Sequence, residues 1–242
     1  MKLGLTSVTF KRFTAQEIAR IANSAGLSAI EWNAHHLGAA KELKRITSDN
    51  GLICCSYGSN FYLGNPDFER NAEICKELGA ETVRIWAGKT EPKDCTGEMF
   101  EKLAADLQTA AQTAAGYGIT VSLEYHKYTY NMDAVSSLKL MNAAGRKNIF
   151  TYWQQPFPSD YNKNIQEINK LNGRISNVHL YNPSEKQEQD YIELATRKKE
   201  FTEYLKLIKP ENALIEFVKG GSEEQFFRDA ETLSEITKKI NE

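Results

Sequence analysis

Residues 119–153 read ITVSLEYHKYTYNMDAVSSLKLMNAAGRKNIFTYW. The flanks, ITVSLE (119–124) and NIFTYW (148–153), are short runs rich in β-branched and aromatic residues, the composition of strands. Between them, 131–144 carries the longer pattern of a helix. Two such strands joined by a helical crossover form a parallel βαβ unit. The alternation continues outward in both directions. Strands are predicted near 3–8 (LGLTSV), 28–32 (SAIEW), 52–57 (LICCSY), 81–86 (ETVRIW), 175–180 (ISNVHL) and 213–218 (ALIEFV). Helices fit 14–25, 66–78, 97–115, 160–171, 187–208 and 223–240. Thr14 with Glu17 three residues on is a capping box, and Gly26 closes that helix. Pro66 opens and Gly79 stops the helix at 66–78. Strand centres recur about every 30 residues, the length of one βα unit. The strands read as near-continuous apolar runs, as parallel strands covered on both faces must. No glycine-rich phosphate turn follows the first strand, which argues against a doubly wound sheet. The predicted fold is a single (β/α)₈ barrel over residues 1–242.

Composition sets further bounds. The chain has 242 residues, and 30 Lys and Arg against 32 Asp and Glu leave a formal charge of −2. That balance gives no electrostatic footprint for nucleic acid or an anionic membrane surface. No run approaches the roughly 18 apolar residues of a membrane span. The start, MKLGLT, lacks an apolar export segment. Cys54, Cys55, Cys75 and Cys95 form no CxxC pair and no disulfide framework, so they are expected as reduced thiols in a cytoplasmic protein. Cys54 and Cys55, with no visible base beside them, read as packing residues.

In such a barrel the chemistry lies at the carboxyl ends of the strands. His35 and His36 follow strand 2, His126 follows strand 5, and His179 ends strand 7. Trp32, Trp86 and Trp153 end strands 2, 4 and 6. Glu31, Glu124 and Glu216 stand in or at the end of strands 2, 5 and 8 inside apolar runs. A glutamate there must be paired, protonated or bound to a cation, because an isolated buried charge is too costly. Arg84, inside TVRIW, is an available partner, and its pairing with Glu31 is the favoured reading over a role in binding an anionic substrate group. Tyr57, Phe61, Trp86 and Trp153 are candidates to wall a pocket on which a sugar's apolar face stacks. Glu31 and His126 are candidate substrate contacts.

The segments IEWNAHH after strand 2, TVRIWAG at strand 4, VSLEYHKYTYNMD at strand 5, NVHLYNP at strand 7 and LIEFVKG at strand 8 resemble the sugar-phosphate isomerase/epimerase group. These are the xylose-isomerase-like TIM barrels, a superfamily shared with endonuclease IV. The resemblance covers essentially the whole chain. It implies one divalent metal held by Glu124, His179 and Glu216, with strand 6 supplying a fourth ligand. That strand departs from the group's pattern: in FTYWQQPFPSD, Gln154 takes the position of the usual Asp and Phe157 that of a His. YWQ-P is a recurrent form within an uncharacterised branch of the group. Asn182 likewise stands where many relatives have Asp, and Lys186 falls near a basic substrate-contacting position.

Gln154 can still ligate through its amide oxygen, more weakly than a carboxylate. Two glutamates and a neutral imidazole carry −2, which balances one dication. The mixed O/N set suits Mn²⁺, Co²⁺ or Zn²⁺ better than Mg²⁺. The resemblance implies a metal-assisted isomerase or epimerase of a sugar, keto-polyol or hydroxy acid. Its chemistry would run through an enediolate, with Glu124 and Glu216 as the acid/base pair. A dehydratase using the same enolate is a close variant, and a non-catalytic sugar-binding barrel is the alternative. Endonuclease IV-like chemistry needs many histidines and a basic groove; four histidines and a charge of −2 argue against it. The partner is then a small carbohydrate or polyol, and the oligomeric state is not encoded in any readable motif.

Overall fold

The computed structural model describes residues 1–242. Strands and helices alternate throughout: β1 (Lys2–Thr6), α1 (Ala15–Ser24), β2 (Ala29–Asn33), α2 (Ala40–Asp49), β3 (Ile53–Tyr62), α3 (Phe68–Leu78), β4 (Thr82–Trp86) and α4 (Gly97–Gly116). The second half follows with β5 (Thr120–Leu123), α5 (Ala134–Ala144), β6 (Ile149–Trp153), α6 (Tyr161–Lys170), β7 (Ile175–Leu180), α7 (Lys198–Ile208), β8 (Asn212–Ile215) and α8 (Glu223–Asn241). All pairings are parallel, the strands lie in chain order, and β1 closes on β8. The predicted barrel is the observed one. No helix is long and apolar enough to cross a membrane.

The capping box forms as read: Thr14 N–H donates to Glu17 Oε2 at 2.7 Å, and Glu17 N–H donates back to Thr14 Oγ1 at 3.3 Å. Two helical assignments differ from the sequence reading. Helix α2 adds to the sequence reading: Ala40, Leu43, Ile46 and Thr47 recur at helical spacing and form its buried face. The helix expected at 187–208 starts only at Lys198, after a 3₁₀ turn over Leu194–Arg197. Residues ahead of it form a loop instead, pinned by a bridge between Pro183 and Tyr191 and by Ser184 N–H donating to Asp190 O. That loop lies over the carboxyl end of the barrel.

Alternation within each strand decides what each side chain does. Successive residues point to opposite faces, one into the barrel and one toward the helices. Trp32 is turned outward, donating its indole N–H to Thr47 Oγ1 of α2 at 2.8 Å. Trp153 packs edge-on against Tyr204 of α7, ring centroids 5.2 Å apart. The inward residues fill the barrel in layers. Ala29, Cys55, Tyr152 and Leu214 make one buried apolar cluster. Gly4 belongs beside it because there is no room for more: a Cβ there would sit 2.6 Å from Ala29 O and 2.7 Å from Leu214 Cδ2.

The seam where the ring closes is clasped by a side chain. Thr9 Oγ1, just past β1, donates to Ile215 O at 3.3 Å and accepts from Phe217 N–H at 3.2 Å. Phe217 has φ +58°, a left-handed backbone conformation costly for a bulky residue. Its ring stacks on Tyr191 of the β7–α7 loop, centroids 5.1 Å apart and planes within 17°.

Candidate active site

Above the apolar layer, the next inward positions are ionisable or polar. Glu31 of β2, Arg84 of β4 and His179 of β7 come from within strands. Glu124, Gln154 and Glu216 each follow directly on the last residue of β5, β6 and β8. The backbones of Glu124 and Glu216 are still held by the sheet, donating to Ile85 O and Leu180 O at 2.9 Å. One of the acceptor oxygens of Glu124, one of Glu216 and one ring nitrogen of His179 lie within 4.8 Å of one another. All three residues are buried.

His179 joins two parts of this pole. Its Nε2 lies 3.2 Å from Glu31 Oε1. Its Nδ1 lies 3.4 Å from Glu216 Oε2 and 3.3 Å from Gln154 Oε1. Glu31 is wholly buried, and its other oxygen accepts from Ser56 Oγ at 2.6 Å and Tyr152 Oη at 2.7 Å. Arg84 pairs with Glu31 as expected and with a second carboxylate more closely: its Nη2 lies 4.0 Å from Glu31 Oε1 and its Nη1 2.6 Å from Glu124 Oε2. Nη1 carries two hydrogens: it donates one to Ser59 O at 3.2 Å and also lies against Glu124 Oε2 as a close ion pair. Gly58 makes room for this guanidinium, since a Cβ there would meet Arg84 Nη2 at 2.7 Å.

These contacts set the proton affinities. Burial pushes the Glu31 carboxyl up, but His179, Arg84 and Ser56 outweigh it and hold it down at about 2. Burial pushes His179 down, and Glu216 with Glu31 outweigh that, raising it to about 10. Glu124 is shifted upward: burial, reinforced by Glu216, prevails over the attraction of Arg84. For the metal-free protein the pH dependence of stability follows. Glu31, lowered from 4.5, contributes fully above about pH 4.5 and loses that contribution as pH falls toward 2. His179, raised from 6.5, contributes fully below about pH 6.5 and loses it as pH rises toward 10. Thermal melts from pH 3 to 10 should show both limbs, with His179→Gln flattening the alkaline one. An alkaline limb unchanged in that variant would contradict the assignment.

A cavity of about 720 Å³ opens above the pole. Arg84, Glu124, Gln154 and Glu216 line its floor, and Trp86, His126, Tyr181, Tyr191 and Phe217 its walls. Of the predicted substrate contacts, Trp86 and His126 face it, edge to face with centroids 4.9 Å apart. Tyr57, Phe61, Trp153 and Glu31 do not. Ser56 and Tyr152 point inward to Glu31, so Tyr57 and Trp153, each one residue on, point outward; Phe61 packs on Phe68 of α3. Glu31 lies below the cavity floor rather than on it. Lys186 is exposed in the β7–α7 loop, which instead sends Glu188, Gln189 and Tyr191 into the cavity. Glu188 pairs with Lys127 of the β5–α5 loop across the mouth.

The model of the xylose isomerase-like TIM barrel family matches residues 19–189 of this sequence. The chain belongs to that family. Among curated proteins, none matches the sequence significantly. Solved structures similar to this xylose isomerase-like barrel include the probable 3-DHS dehydratase AsbF of Bacillus anthracis, at 15% identity and a TM-score of 0.82, over 97% of this chain and 99% of that one. An L-ribulose 3-epimerase is 17% identical with a TM-score of 0.74, over 99% and 97% of the two chains. The IolI protein, solved with a zinc atom, is 15% identical with a TM-score of 0.75, over 99% and 98%. At these identities the likeness shows the shared barrel.

Within this xylose isomerase-like barrel, the remaining positions singled out from sequence are placed as follows. Gln154 reaches the pole, its Oε1 toward His179. Phe157 is half-buried in a side chamber of the mouth, away from the ligand cluster. Asn182 braces the β7–α7 loop, donating to Glu193 O and Thr196 Oγ1 at 2.7 Å. Cys54, Cys55 and Cys75 are buried free thiols, all raised by burial. The contacts not found from sequence are Tyr152 and Ser56 on Glu31, and the Tyr181, Tyr191 and Phe217 wall. Tyr152 was findable, because it sits two residues before Gln154 and shares its face.

The pole fits a divalent cation. Three carboxylates less one guanidinium leave two negative charges when His179 is neutral. Glu124, His179 and Glu216 each offer one donor atom to a common point, and Gln154 Oε1 is turned toward the same nitrogen as Glu216. Glu124, Gln154, His179 and Glu216 are the residues that would hold the ion.

Proposed function

We propose that this protein is a divalent-metal-assisted isomerase or epimerase of a sugar, keto-polyol or hydroxy acid. The observation that carries the reading is the pair Glu124 and Glu216 with His179, buried within 4.8 Å of one another beneath an open cavity. The family supports it, and so do structural neighbours that include an L-ribulose 3-epimerase and a D-psicose 3-epimerase. A bound divalent cation supplies Lewis-acid polarisation of a substrate oxygen.

The chain's own residues do the rest. One of the two glutamates removes the proton beside the substrate carbonyl and the other returns one. Glu124, whose proton affinity burial raises, is suited to giving the proton. His126 lies with Nδ1 2.6 Å from Lys127 O, so Nδ1–H donates there and Nε2 is left as an acceptor for a substrate hydroxyl.

Incubation with ketoses and polyol acids in D₂O and Mn²⁺ tests the reading, with deuterium expected at the carbon beside the carbonyl. Gln154→Asp tests the metal. An anionic ligand in place of an amide should tighten Mn²⁺ binding in isothermal titration, by an amount set by the local dielectric. The side chain is one methylene shorter, so the gain requires β6 to carry it close enough. Absence of Mn²⁺ binding by both wild type and Gln154→Asp at millimolar metal would favour a sugar-binding barrel without catalysis.

A further inference from the structure

Glu31 is the one member of the pole that neither faces the cavity nor belongs to the ligand cluster, which it touches only through His179. Oε2 accepts from Ser56 of β3 and Tyr152 of β6, which fixes the plane of the carboxylate. Oε1 is left for His179 Nε2 at 3.2 Å. Tyr152 also packs its ring edge-on against the imidazole, centroids 5.0 Å apart and planes at 83°, so the ring is held on its face as well as at its nitrogen. A hydrogen bond from one ring nitrogen decides which nitrogen keeps the free lone pair. In the metal-free protein Nδ1 donates toward Gln154 Oε1 and Glu216 Oε2, and a cation that displaced its proton would find the Nδ1 lone pair already turned to the cluster.

We infer that Glu31 is a positioning residue: bonded by Ser56 and Tyr152, it takes the Nε2 proton of His179 in a hydrogen bond and so presents Nδ1 to the carboxylate cluster. The consequence for metal affinity rests on the proposed function; the orientation of the ring does not. Carboxylates behind ligating imidazoles typically contribute about 10- to 100-fold in metal affinity.

The whole chain, labelled with ¹⁵N at histidine, provides the test. It has four histidines, so His179→Asn assigns the signal. In metal-free wild type the Nε2–H of His179 should exchange slowly enough with water to show its one-bond ¹⁵N–¹H splitting. Glu31→Leu should abolish that splitting, and Ser56→Ala with Tyr152→Phe, which leaves His179 and Glu31 intact, should accelerate the exchange. Glu31→Gln keeps an acceptor but loses the charge, and should retain the splitting while weakening Mn²⁺ binding about 10-fold or more. If Glu31→Leu does not fold, the double variant decides in its place. Splitting unchanged in the double variant, or a zinc-loaded wild type ligated through Nε2, would overturn the inference. Wild type that takes up no metal would count against the proposed function alone, because the exchange measurement needs none.

Discussion

Glu216→Gln is expected to lower turnover of the substrate by about 10²- to 10⁴-fold, the range of a positioned acid or base. The substitution keeps the side chain's size and its place in the ring, so the loss should come without unfolding. Two effects add. The amide takes no proton, and the cluster loses one of the two negative charges that balance a dication. The signature is therefore a fall in kcat together with weaker Mn²⁺ binding, at unchanged far-ultraviolet circular dichroism. A loss of less than tenfold in kcat would remove Glu216 from the acid/base pair.

Arg84→Met should be the most destabilising single change in the barrel. Methionine fills much of the space, but Glu124 loses its cation and Glu31 one of its two. Removing one partner of a buried ionic cluster costs about 3–5 kcal/mol. For a chain of this length that corresponds to a fall of roughly 10 °C or more in Tm. The deficit should shrink as pH falls below neutrality, because Glu124, already shifted upward by burial, then takes a proton in place of the guanidinium. A Tm within about 2 °C of wild type at pH 7 would show that the carboxylates find another partner.

Particular residues show how far the sequence could be read. The barrel was legible because each βα unit repeats the same punctuation, as Thr14 with Glu17 and Gly79 illustrate. Glu124, His179 and Glu216 were legible because an ionisable group in an apolar strand needs a reason to be there. The side chains around them were less so. Trp153 ends β6 and Tyr57 ends the strand predicted at 52–57, and proximity to the chemical face suggested a pocket wall. Strand period 2 overrides proximity: Tyr152 and Ser56 are inward residues, and Trp153 and Tyr57, each one residue on, point to the helices. The pairing of Arg84 with Glu31 was legible, and its closer contact with Glu124 was hidden for a different reason. Glu31 and Glu124 sit on strands two away and one away from β4, and sequence order does not say which carboxylate the guanidinium reaches. The wall built by Tyr191 and Phe217 depends on a loop at 187–193 that reads as helix and on a backbone angle at Phe217 that no pattern announces.

Thr9 gives the site a dependence on assembly order. Its hydroxyl ties residues 206 and 208 positions away in the chain. Closing a loop of that length costs on the order of 5 kcal/mol of chain entropy. It is recovered only once β8 docks between β7 and β1. Glu216 is carried on that last strand, one residue before the strained Phe217. The first seven strands bring Glu31, Arg84, Glu124 and His179 together but leave His179 Nδ1 without its carboxylate. An incompletely closed ring therefore has most of its core and only one glutamate of the proposed acid/base pair. On the proposed function, activity during refolding is expected to appear only as the two ends of the sheet join, and a chain truncated before β8 is expected to show none.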